Sequence, residues 1–190
     1  FLCLGVNYSW SIFAQELRAN HGFSMAASQT VFSVYQVVFT AAFICGGRIL
    51  ERFGPVTAAI AGSVLFGAGF LLAGFLPLTP VCLTLGIGVI SGIGVGIAYA
   101  SPIYAAQKTF PGHTSLATGI TVAGFGFSAV CFTFISEFLL GRSWSLSAIF
   151  LLYGAGFILT GVLASRGLKV PEQKQGRTGA GGAPFLSILA

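Results

Sequence analysis

The sequence predicts an all-α fold, an integral membrane bundle of six transmembrane helices, and three observations predict it. Only 7% of the 190 residues are charged while 55% are hydrophobic, and mean hydropathy is +0.92. A soluble domain carries about a quarter charged residues, so lipid must be the solvent for most of this chain. Six apolar stretches approach or exceed the ~20 residues that cross a hydrocarbon core. Most of the 27 glycines lie inside those stretches, where they let neighbouring helices approach closely, as membrane bundles require.

The six stretches run near 1–17, 27–49, 55–76, 80–106, 115–140 and 144–165. The first is short and opens Phe1-Leu2-Cys3-Leu4, with neither methionine nor a basic leader. It is expected to be the truncated start of a longer chain. Pro55, Pro77, Pro80 and Pro111 fall at or beside the breaks, as helix ends favour. Pro102 lies inside the fourth stretch and is expected to kink it. Residues 1–170 thus form the bundle, and 171–190, rich in Gly, Gln and basic residues, read as a cytoplasmic linker.

Charge sets the orientation. With the amino end inside, the inner side carries Arg48, Arg52, Lys108, Arg166, Lys169, Lys174 and Arg177, and the outer side only Arg18 and Arg142. That is a positive-inside bias, so the amino end is expected to be cytoplasmic, in the cell (inner) membrane. The same distribution explains the net charge of +5 without a nucleic-acid partner. Cys3, Cys45, Cys82 and Cys131 stand singly in apolar runs, and His21 and His113 fall in opposite loops. No metal-ligand spacing and no nucleophile–His–acid set can be assembled, so neither an enzyme nor a cofactor is expected.

The connection after the second stretch reads Gly46-Gly47-Arg48-Ile49-Leu50-Glu51-Arg52-Phe53-Gly54-Pro55. Its glycines permit a tight turn, and a carboxylate beside two guanidiniums can form charge-assisted pairs. The plainer alternative is a solvated loop whose arginines only set topology. This stretch resembles the signature loop of the major facilitator superfamily, Gly-x-x-x-Asp-Arg-x-Gly-Arg. Gly47, Glu51, Arg52 and Gly54 match in place; Glu51 stands for the usual aspartate and Pro55 replaces the final arginine. The resemblance implies a cytoplasmic gate loop that latches one half of a twelve-helix protein against the other. It makes this chain similar to the amino-terminal half, built from two three-helix inverted repeats.

A narrower resemblance, to the oxalate/formate antiporter branch, rests on ordered blocks. They are Asn7 to Ala14, Gly46 to Pro55, Gly92 to Tyr99, Phe110-Pro111 and Leu116 to Gly126. His113-Thr114 stands where that branch carries a basic pair.

Gly88, Gly92 and Gly96 repeat every fourth residue, a ridge for close helix packing, and Gly119 and Gly124 offer a second such surface. The rival reading of the fourth stretch, a dinucleotide loop, needs a preceding strand that an apolar run does not supply.

Polar residues inside a membrane span are functional candidates. Asn7, Tyr8, Trp10, Tyr99 and Phe125 are expected to line a substrate cavity, whereas Ser9, Gln29 and Gln36 read as interhelical hydrogen-bonding groups. In the antiporter branch, polar and aromatic residues at matching positions line the central cavity. None of Glu16, Glu51, Glu137 and Glu172 falls in mid-membrane, which disfavours proton coupling within this half. The expected function is alternating-access transport of small organic anions, mono- or dicarboxylates, by exchange. The expected partners are the bilayer, the anion and a carboxyl-terminal six-helix half. Two alternatives stay open: a facilitator of another substrate class, drug or neutral metabolite, and a half-size dimeric membrane protein.

Overall fold

The computed structural model describes residues 4–167, the side chains of Leu4 and Tyr8 excepted. The linker expected at 171–190 lies outside the described residues. All regular structure among the described residues is helical. A 3₁₀ segment, Leu4–Ser9, leads into α1 (Trp10–Asn20). Then come α2 (Met25–Phe53), α3 (Pro55–Phe75), α4 (Pro80–Thr109), α5 (Thr114–Gly141) and α6 (Leu146–Arg166). The helices α2 to α6 are each long and apolar enough to span a membrane. The 3₁₀ segment plus α1 adds about 28 Å at the usual rises per residue, so it nearly spans the core as well.

Helix starts follow the local sequence. On the side where α2, α4 and α6 begin, Ser24, Thr79 and Ser145 each cap the chain, accepting from the amides of Ala27, Cys82 and Ala148. On the other side the connection between α2 and α3 is a single residue. Gly54 takes φ +83°, a conformation that favours glycine, and Pro55 supplies the first position of α3. The expected loop at 46–55 is therefore corrected: residues 46–53 are the last two turns of α2. Gly46 and Gly47 do not break the helix, because the tight crossing of α2 and α4 at Gly46 rewards a missing side chain.

The bundle is organised around α3 and α4. A side chain on Gly88 would touch Val34, one on Gly92 would touch Val38, and one on Gly96 would run into Ala42 and Phe43, all on α2. On the other face of α4, Gly94 abuts Gly62 and Phe66 of α3. The stretch Thr84–Ser91 of α4 is π-helical. It lies where the helix is squeezed from both sides, and Ser91 Oγ donates to Phe66 O at 2.9 Å. The α4 helix continues through Pro102 to Thr109. Aromatic rings fill the space between α1, α3 and α6, with Phe13 edge-on to Phe150 at 5.3 Å and Phe66 against Phe157 at 5.0 Å. Such pairs favour edge-to-face geometry and contribute about 0.5–1.5 kcal/mol beyond area burial.

Among the spans, α2 and α5 are the least covered. Gly119 and Gly124 lie on α5 with nothing within 4 Å of where a side chain would begin. The close approach expected of them is made to no other helix among the described residues. Contacts of α5 run instead through Phe125, Ser128, Ala129 and Thr133.

Candidate functional site

The 3₁₀ segment is seated on α5. Gly5 sits against Phe125 O and Ser128, where any side chain would collide. Ser9 Oγ donates to Ala129 O at 3.1 Å and accepts from Thr133 Oγ1 at 3.1 Å. This seat directs Asn7 toward α2, where its Nδ2 donates to the Tyr35 hydroxyl at 2.5 Å. Both side chains are buried. Asn7, Phe32, Tyr35, Gln36, Phe39 and Phe125 line a narrow cleft with a cavity of about 10 Å³, room for a single water. Tyr99 closes one wall, edge-on to Phe39 at 5.6 Å, to Phe43 at 5.5 Å and to Phe125 at 5.2 Å.

Depth follows from helix position. Tyr35 and Gln36 lie about 15 Å from the start of α2, a helix of about 43 Å. Phe125 lies about 17 Å from the opposite end of the bundle on α5. The cleft is therefore well inside the membrane. Its polar atoms are amides and hydroxyls, set among aromatic rings.

A further feature continues from the cleft along α2. Gln29, Ser33, Gln36 and Thr40 are all exposed and spaced four, three and four apart, so they form one polar stripe on an apolar span. Thr40 turns its hydroxyl back to Gln36 O at 2.8 Å. Polar groups at such depth face a protein interior or a water-filled cavity rather than lipid.

The structure brings Asn7, Phe125 and Tyr99 into one neighbourhood with Tyr35 and Gln36. Gln36, expected to be an interhelical hydrogen-bonding group, lies on the exposed face marked by the 29/33/36/40 spacing. Trp10 is corrected. Its ring is buried, its Nε1 donates to Ser28 O at 3.0 Å, and it packs edge-on to Phe13 at 6.2 Å. It is a strut between α1 and α2 and not a lining residue of the cleft. The Tyr8 side chain lies outside the described residues.

At the α2–α3 end, Gly47 is half-buried, while Glu51 and Arg52 are exposed in the last turn of α2. The Arg52 guanidinium lies 5.3 Å from the Phe53 ring centre. Among the described residues no contact joins Glu51 to Arg48 or Arg52, so the expected charge-assisted pairs are not made within this bundle. Below them Leu50 packs with Ala58 and Ile97, which anchors the turn to α4. Nearby Lys108 lies over Tyr104 at 5.6 Å, and Gln107 Nε2 donates to Thr118 Oγ1 at 3.0 Å, joining α4 to α5. Among the described residues no group of three or more His, Cys, Asp or Glu gathers to hold a metal.

Comparison with known proteins agrees with this architecture. The sequence matches the family described as Major Facilitator Superfamily over residues 1–190. It is 34% identical over 128 residues to the oxalate:formate antiporter of Oxalobacter formigenes, covering 67% of this chain and 30% of that protein. It is 26% identical over 178 residues to the uncharacterized MFS-type transporter YhjX of Escherichia coli (strain K12), covering 94% and 44%. It is 28% identical over 141 residues to monocarboxylate transporter 13 of Bos taurus, covering 74% and 33%. The chain thus spans less than half the length of each of these relatives.

Proposed function

The chain belongs to the major facilitator superfamily, and from that premise we propose that it is the amino-terminal six-helix half of an exchanger of small mono- or dicarboxylates. The observation that carries this reading is the cleft of Asn7, Tyr35, Gln36 and Phe125 deep in the span, on the uncovered side of α2 and α5. Transporters of this architecture bind substrate near the midplane, between their halves. The names of the relatives, an oxalate:formate antiporter and a monocarboxylate transporter, point to the same substrate class.

In this reading each part has a role. The aromatic wall of Tyr99, Phe39, Phe43 and Phe125 excludes water and sizes the site. The amide of Asn7 and that of Gln36 offer N–H donors to carboxylate oxygens. Balancing charge comes from a lysine or arginine of the second half. Gly47, Glu51, Arg52 and Gly54 form the cytoplasmic latch, and the exposed Glu51 and Arg52 pair with groups of that half. The glycine ridge of α4 lets that helix rock against α2, while Gly119 and Gly124 take a helix of the second half. The protein sits in the cell membrane with its amino end cytoplasmic, as the basic residues at the α2–α3 and α4–α5 turns favour.

The test is exchange. The intact protein in proteoliposomes is expected to take up labelled oxalate or formate many times faster when the vesicles are preloaded with an unlabelled carboxylate. Equal uptake into empty vesicles would refute exchange. Since the cleft's polar groups are uncharged, a neutral metabolite is the second reading. Uptake of neutral solutes with no competition by carboxylates would establish it in place of the first.

A further inference from the structure

We propose that Tyr35 is the positioning residue of the cleft, its hydroxyl holding the Asn7 amide in the orientation that meets the transported anion. This rests on the organic-anion reading above and names a determinant of affinity within that site.

Asn7 sits on a 3₁₀ segment and not in the interior of a regular helix. Its short side chain has two rotatable bonds and an amide whose two ends differ in chemistry. One end donates two N–H bonds and the other only accepts. A carboxylate substrate needs the donating end. Something must therefore fix that amide, and the 2.5 Å bond from Asn7 Nδ2 to the Tyr35 hydroxyl is one contact that does so.

Tyr35 is built to be a fixed point. Its ring lies nearly parallel to Phe32, three residues before, at 6.4 Å and 22°. It lies nearly parallel to Phe39, four residues after, at 6.3 Å and 12°. Positions three and four apart share one helix face, so the three rings form a ladder along α2. Phe39 is itself held by Tyr99, and Tyr99 by Phe125, which ties the ladder to α4 and α5. The Asn7–Tyr35 pair is 6% and 4% exposed. In so dry a place a hydrogen bond is stronger than in water, and losing one partner is costly.

A brace that merely joins the 3₁₀ segment to α2 would affect stability alone. A positioning residue acts on substrate affinity and acts only through Asn7. The experiment is a double-mutant cycle in the intact protein, reconstituted in proteoliposomes, with initial rates of labelled oxalate and formate uptake. Tyr35→Phe is expected to raise KM about five- to tenfold, the scale of one buried neutral hydrogen bond, with the maximal rate within twofold. Asn7→Ala is expected to raise KM at least as much. In the Asn7→Ala background, Tyr35→Phe is expected to change KM less than twofold. Phe39→Leu, which loosens the ring ladder and alters the cleft wall without touching the hydroxyl, is expected to raise KM at least twofold more with Asn7 present than in the Asn7→Ala background. It supplies the result if Tyr35→Phe does not fold. Raised KM from Asn7→Ala with unchanged KM from Tyr35→Phe would overturn the positioning role and leave the anion reading intact. So would an equal effect of Tyr35→Phe with and without Asn7, which marks direct contact with substrate. Wild-type protein that takes up neither anion, nor pyruvate, would overturn both.

Discussion

Gly94→Ala tests the close packing of α3 against α4. A methyl group at that position would lie 2.7 Å from Gly62 O and 2.7 Å from Phe66 Cα, with Phe66 N closer still. All three are backbone atoms, so no side chain can swing away and the helices must separate. Overpacking of this kind costs about 1–3 kcal/mol. Alanine's helix propensity returns up to about 1 kcal/mol. Because the obstacles on this face are backbone, the upper end of the range applies, and a net loss of about 2 kcal/mol remains. For a unit of this size that lowers the melting midpoint by about 4–8 °C. The control is Gly156→Ala on α6, where nothing lies within 4 Å. There the propensity gain acts alone, and the midpoint should hold or rise. The assay is thermal unfolding of the detergent-purified protein, followed by fluorescence of a thiol-reactive dye on the native cysteines or by loss of the monodisperse chromatographic peak. Equal midpoints for the two variants would refute the packing argument, because the two sites differ only in what surrounds them.

Other perturbations separate the cleft from the core. Trp10→Phe removes the bond to Ser28 O and should cost about 1 kcal/mol of stability while leaving substrate KM within about twofold, since the indole does not line the cleft; uptake kinetics and melting check both halves. Tyr99→Ala removes ring contacts to Phe39, Phe43 and Phe125 and should raise the anion concentration for half-maximal uptake without preventing membrane insertion; unchanged kinetics would remove Tyr99 from the site. Ser24→Ala deletes the cap on Ala27 and should destabilise the start of α2 by about 1 kcal/mol, measurable as faster amide exchange over the first turn of that helix.

Much of the fold was legible because lipid imposes a length and proline marks several of the ends. The starts of α3 and α4 lie at Pro55 and Pro80. What sequence alone could not weigh was the competition at Gly46 and Gly47. Glycine there suggested a loop, but a tight crossing with α4 kept the helix intact as far as Phe53. The π-helical stretch at Thr84–Ser91 carries no local mark either, since it lies where two neighbours squeeze one helix. In the candidate site, residue type drew notice to Asn7, Tyr99 and Phe125, and the fold places them near one another. Trp10 was misread because an indole suits a cavity wall as well as a core, and only its partner decides. The pairing of Tyr35 with Asn7 joins positions 28 apart, and no local pattern marks it.

The most direct test of the account is substrate protection at Gln36. In the intact protein with every native cysteine replaced by serine, Cys3, Cys45, Cys82 and Cys131 among them, Gln36→Cys places one thiol on the polar stripe beside the cleft. A membrane-impermeant thiol reagent should label it from the aqueous phase, and saturating oxalate or formate should slow that labelling several-fold. Labelling at the same rate with and without any transported carboxylate, in protein that still transports, would contradict the assignment of this cleft as the anion site.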